Sequence, residues 1–471
     1  MLATGKSNAA AVAFRNLETA RSERTRLGDL GRWSEADEAT LHALREVLSA
    51  ELPEINGAAL GGLVYVAGSP RPGPQLRSSY EPIPPERVAA SCALLLVNRG
   101  AEARVAVDAA HSALRSSGWR DLGTFWQAVL ALMYADERDA AQFYLDRAMA
   151  CPTWSSSNAH NSALTMLRAR AAASRGKPSV AYRLLTRALK QSVYPQLTEV
   201  AVAWAITSLV DVGDLDRADA LLRSYRFNGT LTASADHAEL LAARGALHLA
   251  SGCPQLAYKD FIACGRELAD YGVTNPAVIA WRSQAALCAA ACERRSLAFS
   301  LAQDEHVQAL RWGTSQSVGT ALRAVALVSQ EGHDVELLEE AVDHLAHSGT
   351  RCLMMRAQYE LGVKLSFQGK YVRARSALMA ARIAATTAGS RVWAARADEA
   401  LRRWVISDAD GKLTSQELRV VNLARAGLGN KEIAHQLHLV NSTVEYHLSN
   451  VYRKLGITNR SQLRKIMVPV L

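Results

Sequence analysis

The sequence predicts an all-α protein: a long α-solenoid of stacked helix pairs followed by a small basic module of four helices. From Pro85 to about Ile406, helix-length segments rich in Ala, Leu and Arg are broken every 15–20 residues by Gly, Pro, Ser or Asp. A sequence motif recurs through this stretch at a period that suits two helices. Basic residues are concentrated at the C-terminal end of the chain. These three observations divide the chain into residues 1–84, 85–406 and 407–471.

Composition excludes several classes of protein. With 49% hydrophobic and 21% charged residues, the 471-residue chain is not largely disordered. It has neither the run of about 20 apolar residues that a membrane helix needs nor an apolar signal-peptide core after Met1. The cysteine count is seven, an odd number, with no CxxC pair, which indicates a reducing cytoplasm. Cys288 and Cys292, four apart on a predicted helix, are interpreted as buried small hydrophobic residues.

The positive charge is unevenly distributed. Residues 411–471 contain nine Lys and Arg but three Asp and Glu, whereas the net charge of the whole chain is +9. Two thirds of the excess therefore lie in the last eighth of the chain. A basic module on a near-neutral body is typical of a protein that binds a polyanion. A solvated charged face would give the same count, so a motif is needed to decide.

Residues 1–84 carry weaker signals. Apolar residues at helical spacing predict a helix over 34–50. Six of the 13 prolines lie within 69–85, which predicts an extended linker or long loop. This segment is therefore interpreted as helical with a proline-rich loop.

The repeats in 85–406 share a turn or small residue followed five places later by a small residue that lets two helices cross closely. The pairs are Ala135/Ala140, Gly176/Ala181, Gly213/Ala218, Gly252/Ala257, Glu293/Ala298 and Gly369/Ala374, with Gly332/Leu337 in phase. Their spacing of 37–41 residues holds two helices and two turns.

The best copy of the repeat resembles the tetratricopeptide (TPR) pattern. It runs through Leu361, Gly362, Leu365, Gly369, Tyr371, Ala374, Leu378 and Ala381. The spacing exceeds the usual TPR length of about 34 residues, so the repeats are TPR-like rather than regular. Another α-solenoid is the alternative. Either superhelix is expected to present a long concave surface for a peptide, a protein or a small effector.

The C-terminal module follows a short polar joint at 407–412. Its first helix is predicted to begin with a capping box from Thr414 to Glu417 and to end at Gly427. A second short helix begins near Asn430. After a tight turn, a third helix is predicted from about Ser442 to Leu455, and a fourth follows Asn459 and ends at Pro469. The third helix is apolar on one side and polar on the other, as in helices that enter a DNA major groove.

The residues of this module resemble the LuxR-type helix-turn-helix transcription regulators. The resemblance is carried by Leu413-Thr414, Gly427 to Ala434, Leu437, Ser442 to Gly456 and Asn459-Arg460. In that family the domain has four helices, the third reads the major groove, and the fourth often makes a dimer contact. The Val-Glu-Tyr-His sequence at Val444 to His447 resembles a variant common in large actinobacterial members of the family.

The resemblance implies two groups of DNA-binding residues. Candidates for base and near-base contacts are Ser442, Thr443, Glu445, Tyr446, Ser449 and Asn450. Candidates for phosphate contacts or for the scaffold of the domain are Lys431, His447, Arg453, Lys454 and Arg460. Two positions depart from the family pattern: Val440 replaces a capping serine, so the cap is expected at Asn441 or Ser442, and Glu445 replaces a frequent lysine.

These features predict a cytoplasmic transcription regulator, expected to be an activator. The expected partners are promoter double-stranded DNA, a second copy of the chain, RNA polymerase, and a peptide, protein or small effector on the repeat array. We find no motif for catalysis, a cofactor or a metal, and expect none of these.

Two alternatives remain at this stage. The chain could be a TPR scaffold whose C-terminal module binds protein rather than DNA. It could also be an ATP-dependent regulator, because Gly5-Lys6-Ser7 matches the end of a phosphate-binding loop, although the strand and first glycine of that loop are missing.

Overall fold

The computed structural model describes residues 84–465, except for 117–120, 153, 155–156, 191–194, 230–236, 330–331, 369, 406–412, 414, 456 and 458. The helix and proline-rich loop predicted for 1–84 (Pro84 apart), the Gly5-Lys6-Ser7 motif and the joint at 407–412 therefore lie outside the described residues. Within the described residues all regular structure is helical. None of these helices is both long and apolar enough to cross a membrane.

Seventeen helices form the repeat array over the described part of 85–405. They are α1 (Pro85–Arg99), α2 (Ala103–Ser116), α3 (Leu122–Tyr134), α4 (Arg138–Met149), α5 (Asn158–Ser174), α6 (Pro178–Lys190), α7 (Pro195–Val212), α8 (Leu215–Ser224), α9 (His237–Ala250), α10 (Pro254–Asp270), α11 (Trp281–Ala291), α12 (Arg295–Trp312), α13 (Ser315–Val328), α14 (Asp334–Ser348), α15 (Arg351–Phe367), α16 (Tyr371–Ala388) and α17 (Arg391–Val405).

Consecutive helices pack in pairs, and successive pairs stack. Helix α1 packs on α2 and α3, and α15 packs on α16, while α7 packs on α9 and α11 on α13. Because no pair buries its apolar side alone, stacking of neighbours supplies the core. The predicted all-α, TPR-like solenoid is confirmed.

The turn within a pair explains the repeated motif. Gly176, Gly213 and Gly252 have φ of 69°, 94° and 78°, a left-handed conformation that glycine adopts without strain. The alanine five residues after each of them is fully buried where the second helix crosses the first. Glu293 takes the same conformation with φ of 62°, although it is not glycine. The predicted spacing thus reflects a left-handed turn followed by a close crossing.

The predicted register of the first copy is wrong by one residue. Asp136, not Ala135, has the positive φ of 65°, and Ala141, not Ala140, is the buried residue at the crossing. Aspartate tolerates the left-handed conformation through its short polar side chain, so it can occupy the turn position. The pattern of small residues does not reveal this copy, because its turn residue is an aspartate.

Small residues on the first helix of a pair admit large side chains from the second. A Cβ atom on Gly245 would lie 3.1 Å from the ring of Phe261, and one on Gly362 would lie 2.6 Å from Cγ of Leu378. The contact of Gly362 with Leu378 joins two residues of the TPR-like copy found in the sequence, and the contact of Gly245 with Phe261 has the same form. They explain why glycine stands inside two helices, where it otherwise costs stability.

The superhelix closes on itself, so that turns in its first half touch helix ends in its second half. We call these contacts the seam. The Nδ2 of Asn275 donates to the carbonyl of Val97 at 2.6 Å, and the indole Nε1 of Trp312 donates to the carbonyl of Tyr134 at 3.0 Å. Further along, Nη2 of Arg356 lies 2.6 Å from Oδ1 of Asp211.

The centre of the seam is a buried arginine. Arg138 donates to Thr350 Oγ1 at 3.0 Å and to the carbonyl of Ser348, and it pairs with Asp136 at 3.0 Å. Oδ2 of Asp136 in turn accepts the backbone N–H of Gln316 at 2.9 Å. Burial lowers the pKa of Arg138 and raises that of Asp136, so each charge depends on its partners.

Two helices of the array, α3 and α13, are buried along almost their whole length. Every residue of α3 from Thr124 to Tyr134 is buried, and so is every residue of α13 from Ser317 to Ala326. A helix buried on all sides offers no free surface. The expected long concave surface is therefore wrong for these two helices, because packed side chains occupy it.

The C-terminal module has four helices: α18 (Ser415–Arg425), α19 (Asn430–Gln436), α20 (Asn441–Leu455) and α21 (Arg460–Lys465). Helix α18 packs on α19, α20 and α21, and α19 packs on α20. These bounds agree with the four predicted helices to within one or two residues, apart from the end of α21, since Pro469 lies outside the described residues.

Candidate nucleic-acid interface

The module is built around its own hydrophobic cluster. Leu418 and Val421 on α18, Ile433 on α19, Val444 on α20 and Leu463 on α21 are buried together. These apolar positions follow helical spacing on each helix, which fixes the face that each turns inward. The opposite face of α20 is thereby directed outward.

The start of α19 is fixed by a carboxylate. The backbone N–H of Gly429 donates to Oε2 of Glu432 at 2.5 Å, which satisfies an amide that the helix leaves without a partner. The capping box predicted for Thr414 and Glu417 cannot be located, because Thr414 lies outside the described residues. Gly427, with φ of 99°, ends α18 as predicted.

Helix α20 begins at Asn441, one residue before the predicted start. The carbonyl of Val440 accepts from the N–H groups of Thr443 and Val444 at 2.9 and 3.3 Å, so Val440 keeps the capping position. Its side chain has no acceptor and is 69% exposed. The amide of Asn441, expected as a replacement cap, instead donates to Oε1 of Glu445 at 2.9 Å.

Most of the predicted base-contact residues share the outer face of α20. Ser442, Glu445, Tyr446 and Ser449 are exposed, and Tyr446 is 65% exposed. Thr443, His447 and Asn450 are half-buried at the edges of this face. The ring of His447 lies 5.9 Å from that of Tyr446. The outer face is thus a row of short polar side chains with one aromatic ring.

Among the predicted phosphate-contact residues, His447 lies at the edge of the outer face of α20, and the other four divide into three groups. Lys431 is exposed at the start of α19, one helix away from α20. The side chains of Arg453 and Lys454 lie outside the described residues. Arg460 is half-buried and bonded within the module: it donates to Oδ1 of Asn430 at 2.9 Å and to the carbonyl of Leu428.

Two features of this surface were not among the predicted site residues. Asn441 is exposed beside Glu445 and bonded to it, and Val440 presents an apolar side chain at the N-terminal end of α20. The spacing of Asn441 and Glu445, one helical turn apart, is visible in the sequence and could have indicated this pair.

We also searched the described part of the chain for groups of side chains that could hold a metal ion. No group of three His, Cys, Asp or Glu residues is placed there to hold a metal ion. Burial lowers the pKa of Arg425 at the end of α18.

Comparison with known proteins agrees with this geometry. Residues 411–467 match the family model described as bacterial regulatory proteins, luxR family. The HTH-type transcriptional regulator MalT of Vibrio cholerae is 40% identical over 50 residues, which are 11% of this chain and 6% of that protein. The monoamine regulon transcriptional regulator of Klebsiella aerogenes is 41% identical over 56 residues, 12% of this chain and 25% of that protein. The chain thus matches a quarter or less of the length of these relatives.

Two solved structures are also similar to this chain. The crystal structure of the APC/C hetero-tetramer Cut9–Hcn1 gives a TM-score of 0.42 at 12% identity, over 67% of this chain and 55% of that chain. A Rap protein complexed with competence and sporulation factor gives 0.36 at 11% identity, over 79% and 98%. The helix pairs themselves define the solenoid.

The four helices around one core, the polar outer face of α20 and the family match all concern the same stretch of sequence. Over residues 411–467, the chain carries a LuxR-family helix-turn-helix domain, which follows an array of TPR-like helix pairs.

Proposed function

We propose that this protein is a sequence-specific DNA-binding transcription regulator, whose α20 enters the major groove. The observation that carries the proposal is the two-sided character of α20. Val444, Leu448 and Val451 are buried against the module, whereas Ser442, Glu445 and Tyr446 are exposed on the other side. A helix held by its inner face and polar outside is the element that helix-turn-helix proteins place in the groove.

The roles of the residues follow from their chemistry. The exposed hydroxyls, the amide and the carboxylate of α20 are assigned to base edges: Ser442, Thr443, Glu445, Tyr446, Ser449 and Asn450. The cationic and imidazole side chains are assigned to phosphates: Lys431, His447, Arg453 and Lys454. Phosphate contacts position the helix and base contacts specify the sequence. Arg460 is assigned to the scaffold, because its donors are directed to backbone and side-chain oxygens of the module.

We infer that the array serves as a partner-docking or sensing region. The cleft between α5 and α6, lined by residues that include Trp154, Arg168 and Arg187, has a volume of only about 180 Å³. Small-molecule sites usually have about 300–1,000 Å³. The proposed occupant of the array remains a peptide, a protein or a small effector. We further propose that the protein lies in the cytoplasm, contacts RNA polymerase and activates transcription. We propose no enzymatic activity for it.

A homodimer on DNA is part of the same proposal. One module covers few base pairs, and two-fold dimers of helix-turn-helix proteins bind paired half-sites about one helical turn apart. The helix around residues 460–467 is the proposed contact between the two copies, and α21, Arg460–Lys465, is its described part. A footprint confined to one half-site, with a single chain bound, would contradict this assembly.

The direct test is selection of DNA sequences from a random duplex library by the full-length protein, followed by titration of the selected site. We expect one enriched sequence motif that binds at least about 10³-fold more tightly than random DNA at physiological salt. Binding to all duplexes alike, or to none, would exclude the proposed function and favour a module that binds protein.

A second experiment tests the array. A fragment of residues 407–471 should retain the selected DNA motif, because the hydrophobic cluster of the module is its own. If the array carries a signal, this fragment should regulate its target genes independently of the inducing condition. A fragment that keeps normal regulation in cells would show that the array carries no signal.

A further inference from the structure

Asn441 and Glu445 form a bonded pair on the groove-facing side of α20. The Nδ2 of Asn441 donates to Oε1 of Glu445 at 2.9 Å, one helical turn away. Both side chains are exposed, and with Ser449 they occupy one i, i+4, i+8 row of the helix. The core of the module lies behind this row, where Val444 and Leu448 are buried.

The pair converts a flexible carboxylate into an oriented one. A glutamate side chain has several rotatable bonds, and fixing it costs conformational entropy when it binds. The Asn441 amide holds one carboxylate oxygen, so part of this cost is already met before DNA is bound. The second oxygen, Oε2, keeps its acceptor capacity, and an oxygen aimed at a base edge accepts best from the N4 amino group of cytosine.

The bond to Glu445 also orients Asn441. An amide has two N–H donors and one carbonyl oxygen. With one donor on Glu445, Asn441 retains one donor and its Oδ1 acceptor, which are the two groups that pair with N7 and N6 of adenine. Cβ atoms one helical turn apart are separated by about 6 Å, so the two side chains reach neighbouring base pairs rather than the same one.

We propose that Asn441 is a specificity-determining residue, which recognises an adenine next to the cytosine recognised by Glu445 and at the same time orients the Glu445 carboxylate. This inference rests on the proposed function, because it requires α20 to lie in the major groove. Beyond the proposed function, the inference assigns Asn441 to the recognition of an adenine. It also makes the cytosine preference of Glu445 depend on Asn441.

The experiment compares the motifs that full-length variants select from a random duplex library. The variants are Asn441→Ala, Asn441→Asp, Glu445→Ala and the double variant Asn441→Ala/Glu445→Ala. Asn441→Asp keeps the size of the side chain but removes its donors and places a second negative charge beside Glu445. Asn158→Ala, an exposed asparagine on α5 of the array, is the matched control. Far-ultraviolet circular dichroism verifies that each variant is folded.

The wild-type protein and Asn158→Ala should select a motif with adjacent cytosine and adenine. In Asn441→Ala the adenine preference should fall by about tenfold, and the cytosine preference should weaken as well. In the Glu445→Ala background, removal of Asn441 should change the cytosine position no further. Asn441→Asp should lose both preferences at least as strongly as Asn441→Ala.

Two results separate the inference from the proposed function. If the wild-type protein selects a motif and Asn441→Ala selects the same one, the role of Asn441 is refuted while DNA recognition stands. If the wild-type protein selects no motif, the proposed function fails and this inference fails with it.

Discussion

At the scale of single residues, position decides whether a charge recognises a ligand or stabilises the fold. Glu445 and Lys431 are exposed on neighbouring helices of the module, whereas Arg460 is held by oxygens of the module and Glu305 is fully buried. The sequence lists all four as charged residues in helical segments. Their different surroundings predict different responses to substitution.

Glu445→Ala should change the preferred base at one operator position by about 1–3 kcal/mol, because the carboxylate accepts from a base. Lys431→Ala should weaken binding to all sequences and reduce the salt slope of the binding constant by about one unit, because it neutralises a phosphate. Titrations on cognate and random duplexes over a range of salt concentrations measure both effects. Equal loss on the two duplexes for Glu445→Ala would contradict its assigned role.

The free energy of unfolding should depend on pH through the buried carboxyl group of Glu305. Its Oε1 accepts the N–H of Ser283 at 3.1 Å at the start of α11, and Arg282 lies 3.6 Å from Oε2. Burial nevertheless raises the pKa of Glu305 from 4.5 to about 7. The folded protein therefore binds this proton more tightly than the unfolded chain. The stabilisation is complete below about pH 4.5 and is lost as the pH rises through 7.

Glu305→Gln should remove this dependence, because an amide oxygen still accepts from Ser283 and carries no charge. We expect the variant to match the wild type near pH 5 and to exceed its free energy of unfolding at pH 8 by on the order of 2 kcal/mol. Calorimetric unfolding across this pH range measures the difference, with the exposed neighbour Asp304→Asn as control. An unchanged pH slope in Glu305→Gln would rule out this assignment.

At the scale of elements, Arg460 ties the beginning of α21 to the turn between α18 and α19. Its guanidinium donates to Asn430 and Leu428, and its Nε lies 3.4 Å from the carbonyl of Ala424. This turn sets the start of α19 and hence the placement of Lys431. The bonds of Arg460 join parts of the module that are about thirty residues apart.

Arg460→Ala should lower the free energy of unfolding of the module by about 1–3 kcal/mol, because it leaves partly buried acceptors without a donor. Its effect on DNA binding should follow this loss of folding and leave the salt slope of the folded protein unchanged. Denaturant titration combined with salt-dependent binding measures both. A normal stability with a salt slope reduced by one would instead assign Arg460 to a phosphate.

At the scale of the whole molecule, the seam joins the two halves of the array. It connects residues far apart in the sequence, such as Asp136 and Gln316, 180 positions apart, and Arg138 and Thr350, 212 apart. A solenoid whose repeats contact only their neighbours would unfold repeat by repeat. Long-range contacts of this kind couple the first half of the array to the second.

Arg138→Ala should therefore destabilise the array as a whole by about 1–3 kcal/mol, because it leaves the buried oxygens of Ser348 and Thr350 without their donor and the half-buried Asp136 without its cation. We expect a lower Tm and a larger radius of gyration by small-angle X-ray scattering, with helix content retained. Arg183→Ala, an exposed arginine on α6, serves as the control. A variant with wild-type dimensions and Tm would show that the seam contributes little.

Much of the architecture could be predicted because it is local. Left-handed turns at Gly176 and Gly213, small residues at helix crossings and the apolar stripe of α20 are each encoded within a few residues, so periodicity reveals them. The register error at Asp136 arose where the turn residue was not small. The outward direction of Ser442, Glu445 and Tyr446 was predicted for the same reason, since an apolar stripe fixes the opposite face of its helix.

The sequence by itself determined the all-α class, the helix pairs, the four-helix module and the polar outer face of α20. Tertiary structure alone decided that the array closes on itself at Arg138, that packed side chains cover α3 and α13, and that Arg460 bonds to Asn430 and Leu428. The physical reason is the range of the interactions. Helical period and turn chemistry act over a few residues, whereas the partners of Arg138 and Arg460 come from distant parts of the chain that only the packing of whole helices brings together.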